Sequence, residues 1–91
     1  MEQKNNVLQN IFDFYPDDEF LIADGFNDAV IGIDSGLDRL VYSSEKCVEI
    51  LMERDGMSFD EAVEFFEYNV AGAYVGELTP IFVYCEWNET K

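Results

Sequence analysis

Two helical patterns separated by only four residues constrain this chain more than any other feature. Ser43 and Ser44 can cap the first, on which Cys47, Ile50, Leu51 and Arg54 share one side while Glu45, Glu49 and Glu53 recur on the other. Asp55-Gly56 ends it, because glycine suits the left-handed position that follows a helix. Ser58 with Glu61 three residues later is a capping box: the hydroxyl accepts the Glu61 amide hydrogen, and the carboxylate accepts the Ser58 amide hydrogen. The second helix therefore starts at Phe59, and Met57 is placed to pack on Ala62 as a hydrophobic staple. At about 100° per residue, Phe59, Ala62, Val63, Phe66, Val70 and Ala73 fall on one stripe, with Asp60, Glu64 and Glu67 to one side. A connection as short as residues 55–58 predicts an antiparallel αα-hairpin.

The rest of the fold is built around that hairpin. Residues 3–15 place Val7, Leu8, Ile11, Phe12 and Tyr15 on one side of a further helix, which Pro16 closes. The run Phe20-Leu21-Ile22-Ala23 is too short to assign, and residues 24–28 are a turn cluster. Residues 29–33 are apolar on both alternating faces and predict a central strand covered on both sides; residues 39–42 offer a second strand across the loop 34–38. After the hairpin, Gly72, Ala73 and Gly76 allow close backbone approach, and Thr79-Pro80 restarts the chain before a last apolar strand at 81–85. Residues 86–91 are expected to fray. The order is αββααβ, an α+β single domain over residues 1–91 with a three-stranded antiparallel sheet against the αα-hairpin and the first helix helping to cover the other face.

Charge separates this chain from an ordinary small domain. Twenty acidic residues against five basic ones, with no histidine, give a net charge of -15. Such a chain repels nucleic acid and membrane surfaces and attracts basic partners. Because like charges oppose compaction, stability is expected to rise with added salt. A melting temperature that stays put between low and high salt would contradict this. No run of eighteen apolar residues occurs, and the start MEQKNN lacks a signal-peptide core. Cys47 and Cys85, without CxxC spacing, read as reduced core thiols, with a disulfide between them left open.

Three segments carry a resemblance: DGFNDAVIG at 24–32, KCVEILMERDGMS at 46–58 and EAVEFFEYNVAGAYVGELTPIF at 61–82. Over residues 24–82 the chain resembles a group of small acidic proteins of tailed phages and prophages. The resemblance implies a phage gene product acting in the host cytoplasm. It attaches no reaction, cofactor or site residue to the chain.

The chemistry of the residues points away from catalysis. Without histidine, the Ser-His-Asp triad, the Cys-His pair and His-containing zinc sites are excluded. There is no GxxxxGK[ST], no GxGxxG after a strand and no GxSxG. Asp34-Ser35-Gly36 has the composition of a hairpin loop rather than a nucleophile. Residues 17–28 hold five acids and Asn27, but not in the order of an EF-hand loop. No catalytic, cofactor-binding or metal-ligating residue is assigned, and no cofactor is expected.

The acidic faces are the sharper signal. Four helical residues rise about 6 Å and packed helices lie about 8–10 Å apart. Glu45, Glu49 and Glu53 with Asp60, Glu64 and Glu67 could then form two rows of negative charge loosely like DNA phosphates. Ordinary solvated faces would also be acidic, though a balanced one interleaves lysine. Phe65 and Tyr68 fall off the apolar stripe, either packed under the preceding helix or exposed among carboxylates as a binding hot spot. The expectation is a non-enzymatic acidic protein that binds and inhibits a basic host nucleic-acid-handling or defence protein, as a DNA mimic, anti-restriction or anti-CRISPR factor. It would contact no nucleic acid or membrane directly. The alternative is a phage accessory or assembly protein, as a homodimer, whose acidity serves solubility.

Overall fold

The computed structural model describes residues 6–36, 39–73 and 75–86. Its elements follow the expected sequence of helix, two strands, two helices and a strand: α1 (Val7–Phe14), β1 (Val30–Ile33), β2 (Leu40–Ser43), α2 (Ser44–Asp55), α3 (Phe59–Phe65) and β3 (Ile81–Val83). A short 3-10 turn, Asn27–Ala29, precedes β1, and a π-helical turn, Phe66–Ala71, continues α3. One buried cluster takes in Leu8 and Ile11 of α1, Val30, Leu40 and Tyr42 of the sheet, Cys47, Val48 and Leu51 of α2, and Ala62 and Phe66.

The helix ends are set by local chemistry. Ser43 accepts the Lys46 amide hydrogen at 3.1 Å, and Gly56 takes φ 72° at the end of α2, where its N–H reaches the Met52 carbonyl at 3.1 Å. Both halves of the capping box form, with Ser58 N–H to Glu61 Oε1 at 3.0 Å and Glu61 N–H to Ser58 Oγ at 3.2 Å. Helices α2 and α3 pack on each other, and Met57 sits half-buried against the core. Phe59, by contrast, is 60% exposed, so the buried stripe of α3 starts at Ala62. In α1 the Tyr15 N–H still bonds the Ile11 carbonyl at 2.9 Å, and Pro16, with no N–H to donate, stops the ladder. Residues 3–5 of the expected helix lie outside the described residues.

The sheet differs from expectation in three ways. It is mixed: β1 and β2 are antiparallel, but β2 and β3 are parallel, in the order β1-β2-β3. Two helices of alternating direction would return the chain antiparallel to β2. The nine residues 72–80 can span up to about 30 Å, enough to carry it back along the sheet, so β3 enters from the same end as β2. The second difference is that β1 is an edge strand rather than the central one. Val30 pairs with Tyr42 and Gly32 with Val41, leaving Ile31 as an extra residue in a β-bulge. The bulge shifts the alternation, so that Val30 and Ile33 share the face of Leu40 and Tyr42 while Ile31 is 45% exposed. Two apparent apolar faces are one face plus a bulge. Finally, β3 is three residues long, and Tyr84 and Cys85 beyond it are exposed. Cys85 is thus not a core thiol; Cys47 is buried, both are free, and burial pushes the Cys47 thiol up to about 12.

The segment before β1 is irregular yet fastened at several points. Phe26 and Ala29 are buried, and the Ala23 N–H donates to the hydroxyl of fully buried Tyr42 at 2.7 Å. Arg54 donates to the Gly25 carbonyl at 2.8 Å and lies 5.4 Å from the Phe26 ring centre, tying this segment to α2. Leu37 and Asp38 of the hairpin loop lie outside the described residues; across that loop the Asp34 N–H meets the Arg39 carbonyl at 2.8 Å. Among the described residues, no helix is long and apolar enough to cross a membrane.

Candidate protein-interaction surface

The side chains that the second helix of the hairpin presents come from α3 and from the π-helical turn that continues it. In a π turn each bond spans five residues instead of four, so the spacing that sorts residues 59–66 no longer sorts those that follow. Phe66, at the junction, is 1% exposed and lies edge-on to Phe82 of β3 with ring centres 5.5 Å apart. Its neighbours turn outward: Phe65 is 40% and Tyr68 77% exposed. These two rings share an open depression with Met57, Glu61, Glu64 and Asn69. The alternative of burial beneath α2 is thereby decided in favour of exposure.

The six acids expected in two rows have different surroundings. Glu45, at the start of α2, is half-buried and accepts the N–H groups of Cys85 at 3.0 Å and Glu86 at 3.1 Å. Burial, the largest single influence, would raise its pKa; these two backbone donors together with the N–H of Glu45 itself and the Cys85 thiol outweigh it, and the carboxyl sits below its ordinary value. Residue 86 is therefore held rather than frayed, while 87–91 lie outside the described residues. Glu67 accepts the Tyr84 hydroxyl at 2.7 Å. Both carboxylates thus hold the segment that leaves β3. Glu49 pairs with Lys46 at 3.3 Å, an exposed contact of small stabilising effect. Glu53, Asp60 and Glu64 are exposed. The structure joins Glu64, Phe65 and Tyr68 in one depression, and joins Glu45 and Glu67 through residues 84–86.

The Tyr84 contact carries a pH signature. Its hydrogen bond to Glu67, with burial adding to the effect, pushes the phenol up to about 12 from an ordinary 10.0. Because the folded value is the higher one, the unfolded chain loses its proton first, and stability from this contact is whole below about pH 10 and lost on the way to about pH 12. Unfolding midpoints of the wild type and Tyr84→Phe should differ by a constant amount up to pH 10 and converge by pH 12. A gap that persists at pH 12 would show that the hydroxyl contributes through something other than this proton.

A second surface feature left only a short, uninterpreted trace in the sequence. Leu21, Ile22, Ala23, Phe26, Val70 and Phe82 line a groove of about 360 Å³ that also reaches Asn69. Asn69 therefore borders both the groove and the aromatic depression. The unassigned apolar run at 20–23 was the trace of this groove, but a four-residue run without periodicity says nothing about what it faces. Among the described residues, no group of three or more Cys, Asp or Glu is placed to hold a metal ion. No family model, curated protein or solved structure matches the chain.

Proposed function

We propose that this chain is a non-enzymatic binding protein that captures a basic, nucleic-acid-handling protein through the depression around Phe65 and Tyr68. The observation that carries the reading is the exposure of two aromatic rings beside Glu61 and Glu64 on a chain of net charge -15. Exposed aromatics supply the area that binding buries, and carboxylates around them steer a cationic partner. Its resemblance to small acidic phage proteins favours a host defence effector as that partner. The narrower DNA-mimic version draws less support, since Glu45, Glu49 and Glu67 are engaged within the chain and half of the two acidic rows is committed elsewhere.

The test is capture from a bacterial lysate at about 50 mM and about 500 mM salt, where screening differs severalfold in range. The wild type should retain a nucleic-acid-binding protein at low salt and release it at high salt. Phe65→Ala with Tyr68→Ala should lose it by at least about tenfold while melting near the wild type. Retention unaffected by this double variant would sink the proposal. A second reading, a homodimeric accessory protein, is favoured by the apolar groove lined by Leu21 and Ile22, both substantially exposed. Sedimentation of a salt-resistant dimer, with no basic partner captured, would select it.

A further inference from the structure

The depression and the groove together describe the partner's chemistry more closely than charge does. Phe65 keeps 40% and Tyr68 77% of its surface exposed, and a planar cation stacks on such rings better than a compact, strongly hydrated ammonium. Glu64, exposed on the same depression, offers a carboxylate to a forked donor, whereas one oxygen of Glu61 is already taken by the Ser58 N–H. An exposed cation–π contact and an exposed ion pair each change affinity by only roughly two- to fivefold. A cation alone would not hold. The additional apolar area is at hand, because the groove lined by Leu21, Ile22, Val70 and Phe82 begins on the other side of Asn69.

We propose that the occupant is an arginine-bearing segment of a partner protein, its guanidinium set between Phe65, Tyr68 and Glu64 and an adjoining large apolar side chain seated in the groove beyond Asn69. This rests on the binding-protein reading above and adds to it the identity of the cation and the need for an apolar neighbour. Lysine of equal charge is discriminated against because an ammonium neither stacks on the rings nor forms a bidentate pair with the carboxylate.

The probes are three acetylated, amidated helical peptides of equal charge: one with arginines and leucines on a common side, one with the arginines changed to lysine, and one with the leucines changed to serine. Titrated by calorimetry at about 50 mM salt, the arginine-leucine peptide should bind roughly two- to fivefold tighter than either of the others. Phe65→Ala with Tyr68→Ala should abolish the preference for arginine. Leu21→Ser with Val70→Ser should abolish the preference for leucine; melting curves identify whether either variant has unfolded, and Glu64→Gln, at an exposed position, provides a third loss of arginine preference that does not depend on packing. Equal binding of the arginine and lysine peptides overturns the inference while leaving capture of a basic protein intact. Failure of all three peptides overturns it too, and the lysate capture then decides separately whether a basic partner binds elsewhere. A protein that self-associates, with Leu21→Ser restoring the monomer, overturns it by assigning the groove to a second copy.

Discussion

Truncating Phe66 to alanine should destabilise the fold by about 3–5 kcal/mol, the range for removing a large aromatic side chain from a close-packed interior. Phe66 is 1% exposed, touches the ring of Phe82, and Phe82 in turn lies 5.2 Å from the ring of Tyr42. These three rings link the second helix to β3 and β2, so the cavity opens where the crossover closes on the sheet. For a domain of this size such a loss lowers the melting midpoint by roughly 15–30 °C. The neighbouring change Phe65→Ala, at a ring 40% exposed, should cost about 1 kcal/mol or less. Thermal unfolding of the pair checks both. Similar losses at the two positions would mean that the helix is rotated from the facing described above.

Gly72→Ala should also destabilise, by about 1–3 kcal/mol, although simple helix propensity predicts the opposite sign. The backbone at Gly72 has φ -84°, which alanine adopts without strain. The obstacle is contact: an added Cβ would meet the Glu67 carbonyl oxygen at 2.9 Å and the Tyr68 carbonyl oxygen at 3.4 Å. Both are backbone atoms of the π turn and cannot swing aside as a side-chain tip would. In an ordinary α-helical ending alanine would gain up to about 1 kcal/mol over glycine. The sign of the change in unfolding free energy thus distinguishes the two geometries. A stabilised variant would mean that residues 66–71 wind as a regular α-helix.

What could be read from the sequence was what neighbouring residues settle among themselves. Ser58 and Glu61 are three positions apart and their hydrogen bonds close within one turn; Gly56 needs only its own φ; Pro16 stops α1 by what it lacks. From these the three helices follow, and the apolar runs at 29–33, 39–42 and 81–85 supply the strands of the order αββααβ. The π turn was hidden because the apolar stripe through Phe66 fits either winding up to that residue. The bulge at Ile31 was hidden because three consecutive apolar residues read alike whether the strand is central or bulged. The direction of β3 depended on where residues 72–80 travel, which no residue within them states. At the candidate site, Phe65 and Tyr68 were marked by their offset from the stripe, but Glu45 was grouped with exposed acids because its partners, residues 85 and 86, lie 40 and 41 positions away.

The parallel pairing of β2 with β3 has a temporal side. The ladder joins Val41 to Ile81, while β1 and β2 meet across a short loop. Pairings so distant along the chain form late, after the loop-closure entropy between them has been met. Until β3 docks, β2 shows an open edge. An open, apolar strand edge is the part of a nascent chain most apt to pair with a wrong partner. A chain of net charge -15 carries its own remedy, since two copies approaching each other at that stage repel. The acidity proposed to draw a basic partner to the finished protein thus also keeps unfinished copies apart.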